Sequence, residues 1–277
     1  MRLALARTAA RALHVLPWRA RVAAVLAAMR AMAWQARKAD GACLCTACGT
    51  RLGGFIADYG AAPASRLLGI AGTANNPRLY GGAVRQSCPV CLEAERTRFL
   101  LWTLAKEGVL DGAPIDLLVC SGGPALLHRL RAHRVVSANY ARTLFADTAC
   151  DLRAAPFADG TFDVVICAYV LSYIDDDAAA LREIFRVLRP GGVAWVVVPQ
   201  DLSLATAEEG AHLPAEARLE KFGNACHMRL YGMDFDRVLA AHGFRVETLV
   251  PEALVPPAEI VRLGLQPQDR LYRCMKP

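Results

Sequence analysis

The chain has 277 residues, of which 55% are hydrophobic and 21% are charged, and its formal net charge is +6 at pH 7. This length allows a sizeable core and a second small unit. The positive charge is concentrated in residues 1–38, which contain no acid, so the remainder is close to neutral. No apolar stretch is long enough to span a membrane, because Arg30 interrupts the run from Val22 to Trp34. These features argue against a membrane-spanning protein and against a chain that is basic throughout.

Residues 1–40 form the basic N-terminal segment, and their alanine-rich pattern predicts two helices divided near Pro17. Such helices pack on the protein body through leucine, valine and tryptophan and leave arginine in water, which is the interpretation we favour. Two alternatives stay open. A basic helix can rest weakly on an anionic membrane surface. The run Val22–Met29, followed by a small-residue stretch, imitates a signal peptide.

Two Cys-x-x-Cys pairs lie in residues 41–110. The first pair, Cys45 and Cys48, is separated by 39 residues from the second pair, Cys88 and Cys91. Two such pairs can present four thiolates tetrahedrally, as structural zinc prefers, and four thiolates leave no open position for catalysis. We therefore predict a zinc-binding unit with a connecting helix. Reduced core thiols or disulfides are the competing interpretation. Within the zinc interpretation, a spare or alternative ligand is Cys43.

Residues 156–199 have the pattern of one strand–helix–strand crossover. The nearly unbroken apolar run Phe162–Ala168 suits a strand that is buried on both faces of a parallel sheet. Residues 175–177 are aspartates and supply an N-cap and negative charge at a helix start. The sequence Pro190-Gly191-Gly192 should end that helix before a strand over Val193–Val198. The apolar stripe of the helix is Leu181, Ile184, Phe185 and Leu188.

The residues of this crossover resemble the second half of the class I S-adenosylmethionine-dependent methyltransferase domain, of the type 11-like kind. The matching residues are Pro156-Phe157, Phe162–Val165 and Arg186–Gly192. The resemblance implies that residues 111–277 form a doubly wound, Rossmann-like α/β domain with a mostly parallel seven-stranded sheet. Strands are expected at Ile115–Cys120, Arg134–Ala138, Phe244–Val250 and Arg270–Cys274, and helices from residue 124 through Arg134 and over Asp234–His242.

The second cysteine pair continues into a charged element and a leucine-rich helix. This sequence resembles that of a methyltransferase subgroup with an N-terminal Cys-x-x-Cys zinc-binding unit. The charged residues are Glu95, Arg96 and Arg98. They either touch substrate or cofactor, or form an ion-paired helix start, and the second interpretation is the more ordinary one.

The same resemblance places an S-adenosylmethionine site at the carboxyl ends of the strands, where doubly wound folds bind cofactors. Glycines after the first strand let the backbone approach a ligand closely. The family commonly carries an acid at this turn, an acid where this chain has Asn139, and an acid–histidine pair where it has Ser172 and Tyr173. Asp151 is expected near the adenine edge, with turn capping as the alternative. The expected donor contacts are Ser121, Gly122, Gly123, Asn139, Asp151, Leu152, Ala168 and Tyr169.

Near the C-terminus the run KFGNACHMRLYGMDF again resembles the subgroup, in a loop that precedes a helix. His227 is expected to orient or deprotonate an acceptor hydroxyl or amine, because imidazole titrates near working pH. Arg229 is expected to hold an anionic group, and Tyr231 to cover the donor or the acceptor. The competing interpretation is a loop locked by side-chain hydrogen bonds to the backbone.

We therefore expect a zinc-containing methyltransferase that acts on a small-molecule or glycan-like acceptor by direct displacement at the sulfonium methyl group. A nucleic-acid methyltransferase is disfavoured, because the basic segment lacks stacking aromatic residues beyond Trp18 and Trp34. A non-catalytic binding or scaffold protein is the remaining alternative, and the missing acids favour it. Since the donor is a cytoplasmic cofactor, a cytoplasmic location is expected.

Overall fold

The computed structural model describes residues 17–57 and 86–277, apart from residues 142, 144 and 147. The helix predicted before Pro17 and most of the loop between the two cysteine pairs lie outside the described residues.

The helices and strands are numbered in chain order. The α-helices are α1 Trp18–Met32, α2 Glu95–Lys106, α3 Pro124–Arg129, α4 Asp177–Val187, α5 Ala215–Phe222, α6 Phe235–Ala241, α7 Pro251–Leu254 and α8 Pro257–Leu263. The strands are β1 Cys43–Leu44, β2 Arg51–Leu52, β3 Asp116–Cys120, β4 Arg134–Asn139, β5 Thr148–Ala149, β6 Phe162–Ala168, β7 Leu188–Val197, β8 Glu208–Glu209, β9 Arg229–Leu230, β10 Arg245–Leu249 and β11 Leu271–Met275.

Seven of these strands form one sheet in the order β10-β11-β7-β6-β3-β4-β5. The neighbouring pairs from β7 to β5 are parallel, whereas β11 is antiparallel to both β7 and β10. This is the mostly parallel, doubly wound sheet predicted for residues 111–277, so the fold class is confirmed. Because β4 and β6 lie on opposite sides of β3, the strand order reverses between β3 and β6. Folds of this kind bind ligands at the carboxyl end of such a reversal.

Both faces of the sheet are covered, as the apolar central strands require. In β3 the four residues after Asp116 are buried, and β6 is buried along most of its length. Helix α4 covers one face with Ala180, Leu181, Ile184 and Val187. The Asp176 side chain accepts a hydrogen bond from the N–H of Ala179 at 2.8 Å, so the predicted N-cap of this helix is confirmed.

Helix α1 packs against α3 and contacts the unit that holds the two cysteine pairs, which we call the cysteine unit. Its leucine and valine side chains are buried and Met29 is fully buried, as packing on the body requires. Of the two tryptophans, Trp18 packs partly buried against the core, whereas Trp34 is 66% exposed, contrary to the prediction. The arginines are not simply exposed, however. Arg21 is buried, Arg19 donates to the carbonyl of His133, and Arg30 donates to the carbonyl of Cys48. Within the described residues, no helix combines the length and apolar character needed to cross a membrane.

The end of α3 and the boundary between α4 and β7 differ from the prediction by more than one residue. Helix α3 ends at Arg129, because the N–H of Arg134 already bonds the carbonyl of Ile115 where β4 begins. Helix α4 ends at Val187, and Leu188 is extended (φ −73°, ψ 141°) and pairs with Phe162. Strand β7 therefore begins before the Pro-Gly-Gly sequence and passes it with a register shift against β6.

Candidate functional site

A cavity of about 830 Å³ opens at the carboxyl ends of β3, β4 and β6. Two turns that leave these strands form its floor. Ser121 and Tyr169 both have φ of +60°, a conformation that costs a non-glycine residue about 1–3 kcal/mol. The N–H of Ser121 donates to Ala138 and that of Tyr169 to Val197, each at 2.8 Å, so neighbouring strands hold both turns. Backbone strain of this kind concentrates at binding sites.

The glycine turn after β3 packs too closely to accept side chains. A Cβ on Gly122 would lie 2.7 Å from Cγ1 of Val119, and a Cβ on Gly123 would collide with Oε1 of Glu93. The turn therefore packs tightly against Val119 and Glu93. The close approach of a ligand to these glycines stays a prediction.

Most of the predicted donor residues meet at this cavity. Gly122 lies beneath the lining and supports the turn. The predicted residues that line the cavity are Ser121, Gly123, Asn139, Asp151, Leu152, Ala168 and Tyr169. Their contacts with a donor remain predictions.

Two of the polar residues are already engaged. The side-chain oxygen of Asn139 accepts from the N–H of Tyr140 at 2.8 Å. Asp151 pairs with Arg153 at 2.7 Å, and Arg153 pairs with Asp175 at 2.7 Å. The Arg153 side chain and N–H lower the pKa of Asp151, so this carboxyl is charged at neutral pH. Asp151 also accepts from the N–H of Arg153, which is the turn-capping role that was left open.

The cysteine unit supplies one wall of the cavity. Glu93, Arg96 and Thr97 line it, although they precede the sheet in the chain. The guanidinium of Arg96 lies 3.7 Å from the ring centroid of Tyr169. Of the charged element after the second cysteine pair, Arg96 therefore faces the cavity. The contact of Arg96 agrees with the alternative in which this element touches substrate or cofactor, whereas Glu93 was not predicted. Contacts across 30 positions for Glu93 and Gly123, and 73 for Arg96 and Tyr169, leave no local pattern in the sequence.

Glu95 and Arg98 serve the fold. Arg98 is fully buried and donates to the carbonyls of Leu263, Glu93 and Gln86 at 2.8, 2.8 and 2.9 Å. Glu95 is also fully buried and accepts from the N–H of Gln86 at 2.9 Å. These bonds fix the cysteine unit to α8 and to the start of α2, which supports the structural interpretation for these two residues.

The predicted catalytic element lies beside the cavity. Among the described residues that line the cavity are Cys226 and Met228, but not His227, Arg229 or Tyr231. His227 is buried, and its ring meets the ring of Tyr173, a lining residue, edge-on at 4.9 Å between centroids. Its catalytic role remains a prediction.

Arg229 and Tyr231 are held by structural contacts. Arg229 donates to the carbonyls of Ile174 and Asp175, each at 2.6 Å, and pairs with Glu209 at 2.9 Å. The hydroxyl of Tyr231 donates to Asp177 at 2.7 Å. Burial and the Asp177 carboxylate raise the pKa of Tyr231 well above its usual value. These contacts favour the locked-loop interpretation for both residues, and their proposed roles at the acceptor stay untested.

The four cysteines of the two pairs form one buried group. Their sulfur atoms all lie within 4.8 Å of one another, with 3.7 Å between Cys45 and Cys91 and 3.8 Å between Cys48 and Cys88. A tetrahedral zinc site with Zn–S bonds of about 2.3 Å has S–S separations of about 3.8 Å. A disulfide would need about 2.05 Å, so the disulfide interpretation is wrong for these residues. Cys43 lies outside the group.

The fold and the cavity define a class. A doubly wound sheet with a glycine turn and a cavity at its strand-order reversal is the architecture of a domain that binds a nucleotide-like ligand. Comparison with known proteins narrows this class. Residues 124–196 match the family described as a methyltransferase domain. The match indicates a methyltransferase domain in this part of the chain.

Two curated relatives are similar over part of the chain. The ubiquinone/menaquinone biosynthesis C-methyltransferase UbiE of Desulfotalea psychrophila is 33% identical over 110 residues, which are 34% of this chain and 45% of that protein. The arsenite methyltransferase of Aquipseudomonas alcaligenes is 31% identical over 104 residues, 37% of this chain and 28% of that protein. The chain thus spans less than half the length of either relative.

Among solved structures, an S-adenosylmethionine-dependent methyltransferase from Mesorhizobium loti is similar with 15% identity and a TM-score of 0.46. The similar region covers 63% of this chain and 97% of the Mesorhizobium loti chain.

Proposed function

We propose that this chain is an S-adenosylmethionine-dependent methyltransferase that acts on a small-molecule acceptor. The observation that carries the proposal is the cavity at the carboxyl ends of β3 and β6, built on the strained turns at Ser121 and Tyr169. Its volume of about 830 Å³ falls in the range of about 300–1,000 Å³ for small-molecule sites. The names of the curated relatives are those of methyltransferases with small-molecule acceptors, which supports this class.

The donor residues present fit an S-adenosyl ligand. Ser121 and Gly123 of the turn after β3 line the cavity, as expected for a turn that holds the donor. The cavity is lined by both apolar groups and hydrogen-bonding groups, including Leu152 and Asn139. When bound, the donor supplies a methyl group on a cationic sulfur. A bond forms between the acceptor atom and the methyl carbon as the methyl–sulfur bond breaks, and the acceptor gives up its proton. The residues act mainly by holding the two partners in line.

The far side of the cavity offers a place for the acceptor. Tyr140 and Tyr173 expose their rings there, and Cys226 and Met228 add sulfur-containing side chains. Aromatic and thioether groups favour a flat or apolar acceptor over a sugar. Arg218 also lines this side, but its guanidinium bonds the carbonyls of Ala225 and Leu213 and so shapes the loop. We propose that His227 acts on the acceptor indirectly, by positioning Tyr173, whose ring its own ring meets edge-on.

An arsenite acceptor would call for thiolates, the ligands that such a soft species prefers. Three cysteines line the cavity, namely Cys120, Cys150 and Cys226. In the described part of the chain, however, the cysteines that come within ligand distance of one another as a group are Cys45, Cys48, Cys88 and Cys91, so the three lining thiols are not arranged to hold one soft ion together.

We propose that this cysteine group holds zinc and that the metal stabilises the fold. Four thiols satisfy the coordination of the ion and leave no position for substrate. Burial of all four sulfurs supports a structural ion, and the N–H of Val90 donates to the Cys88 sulfur at 3.4 Å. Purified protein should contain about one zinc per chain by elemental analysis, and Cys48→Ser should lose the metal. A folded chain without metal would contradict this assignment.

A non-catalytic binding protein is the second candidate. It is favoured by the engagement of Asn139 with Tyr140 and of Asp151 with Arg153, because both polar groups would have to serve a donor as well. The nucleic-acid alternative has less support, since Arg19, Arg21 and Arg30 are bonded to the protein body or buried.

Calorimetric titration of the zinc-loaded protein with S-adenosylmethionine tests the proposal. We expect one saturable site per chain, and we expect Gly122→Val to abolish it, because the larger side chain would collide with Val119 and Leu127 and displace the turn. His227→Gln should bind the donor as the unmodified protein does but should transfer methyl groups more slowly to an acceptor once one is found. Donor binding without transfer to any member of a small-molecule acceptor panel would favour the second candidate. No binding at millimolar donor would overturn the proposed function.

A further inference from the structure

The cysteine unit places a carboxylate at the glycine turn, which has no acid of its own. Oε1 of Glu93 accepts a hydrogen bond from the N–H of Leu126 at 3.3 Å and lies against the Cα of Gly123, where a Cβ would collide with it. Glu93 lines the cavity beside Ser121. An acid from residue 93 therefore occupies the surface of a turn that begins 28 positions later in the chain.

The backbone of Glu93 is fixed by the metal-binding knuckle. Its carbonyl accepts from the N–H of Cys88 at 3.0 Å and from the Arg98 guanidinium at 2.8 Å. The first of these bonds belongs to the Cys88–Cys91 turn itself. The position of the carboxylate in the cavity consequently depends on the folded cysteine unit.

The other two acids of the cavity share one cation, since Asp151 and Asp175 both pair with Arg153, each at 2.7 Å. Glu93 bonds the N–H of Leu126 and the side chain of Thr97, and a carboxylate has capacity for about four hydrogen bonds. A polar group that enters the cavity at the glycine turn therefore meets Glu93 as the lining acid in contact with that turn.

We propose that Glu93 binds the α-ammonium group of the methyl donor and so replaces, from the cysteine unit, the acid that the glycine turn lacks. This assignment rests on the proposed function. The donor carries one ammonium group at the end opposite its adenine. The expected adenine position is near Asp151, which lines the same cavity as Glu93. A charge-assisted hydrogen bond from ammonium to carboxylate is the contact that this arrangement provides. Glu93 is accordingly a binding residue, and the knuckle is its positioning element.

The test compares two ligands in three proteins by calorimetry. The ligands are S-adenosylhomocysteine and its deaminated analogue, in which hydrogen replaces the α-amino group. The proteins are the zinc-loaded unmodified chain, Glu93→Gln and, as a matched charge control on an exposed helix position, Glu252→Gln. Circular dichroism and zinc content establish that each protein is folded and loaded.

In the unmodified chain and in Glu252→Gln, loss of the amino group should weaken binding about 10- to 100-fold, as expected for a hydrogen bond to a charged group. In Glu93→Gln, S-adenosylhomocysteine should lose that advantage, and the two ligands should bind alike. An unchanged gap between the ligands in Glu93→Gln would overturn the assignment while leaving the proposed function intact. Failure of the unmodified chain to bind either ligand would overturn both.

A second variant protects the test if Glu93→Gln does not fold. Gly123→Ala keeps the acid but forces its flexible end away from the turn, because the new Cβ occupies the place of Oε1. The backbone of Gly123 has φ −75°, which alanine adopts without strain. The same loss of the gap between the two ligands is expected, and a gap of the original size would contradict the assignment.

Discussion

Replacing Gly122 by alanine probes the packing that opens the donor turn. The new Cβ would lie 2.7 Å from Cγ1 of Val119 and 3.2 Å from the Leu127 side chain. Carbon atoms prefer separations of about 3.5–4.0 Å, so the first contact is about 1 Å too short. Val119 and Leu127 are fully buried, and Val119 is β-branched, so neither yields easily.

Overpacking of this kind costs about 1–3 kcal/mol. Alanine also restricts the unfolded chain, which returns about 0.4–1 kcal/mol. We therefore expect Gly122→Ala to lower the free energy of unfolding by about 1–2 kcal/mol and to weaken binding of S-adenosylhomocysteine. Urea denaturation and calorimetry measure the two effects.

Gly54→Ala is the matched control for this substitution. No atom lies within 4 Å of a Cβ built at Gly54. Its stability should stay within about 0.5 kcal/mol of the unmodified protein. If Gly122→Ala matched Gly54→Ala in both stability and ligand affinity, the turn after β3 would have room for a Cβ. The claim that this turn is tightly packed would then be refuted.

Three further results are expected. The guanidinium groups of Arg134 and Arg189 lower the pKa of Asp116 from 3.8 to about 2, so its contribution to stability is present above pH 4 and is lost as the pH falls toward 2. In Asp116→Asn the midpoint of urea unfolding should depend less on pH between pH 4 and 2 than in the unmodified protein. An unchanged pH dependence of the midpoint would contradict a contribution of these ion pairs to stability. Iodoacetamide at pH 8 should label exposed Cys226 first, since burial raises the pKa of Cys150 to about 12; early Cys150 labelling in peptide mass spectra would count against this cavity. Removal of metal with a chelator should lower both the melting temperature and the affinity for S-adenosylhomocysteine. Retained affinity would show that the donor site does not depend on the folded cysteine unit.

Local signals in the sequence predicted the crossover well. The apolar run of β6 and the aspartate cap of α4 act within a few residues, and both are found as expected. The start of β7 was predicted too late, because Leu188 continued the helical stripe in the sequence. Pairing of Leu188 with Phe162 decides its conformation, and that contact is tertiary.

The site was only partly predictable for the same reason. Glycines and polar residues that follow strands on one sheet edge could be grouped from topology alone, and those residues meet at the cavity. Glu93 and Arg96 reach the cavity because the cysteine unit packs against α8 and against the turn after β3. Arg98 holds this arrangement through its bonds to the carbonyls of Leu263 and Glu93. Such placement depends on packing between units. Similarly, Arg229 and Tyr231 resembled ligand-binding residues in the sequence, but their partners are Glu209, Asp177 and main-chain carbonyls.

The central claim is that the cavity at the reversal of the sheet binds the methyl donor. A crystal structure of the zinc-loaded protein grown with S-adenosylhomocysteine tests it most directly. We predict ligand density across the cavity, with the amino-acid end at Gly123 and Glu93 and the sulfur near Tyr169. An empty cavity at saturating ligand, or a ligand bound elsewhere on the chain, would contradict the claim.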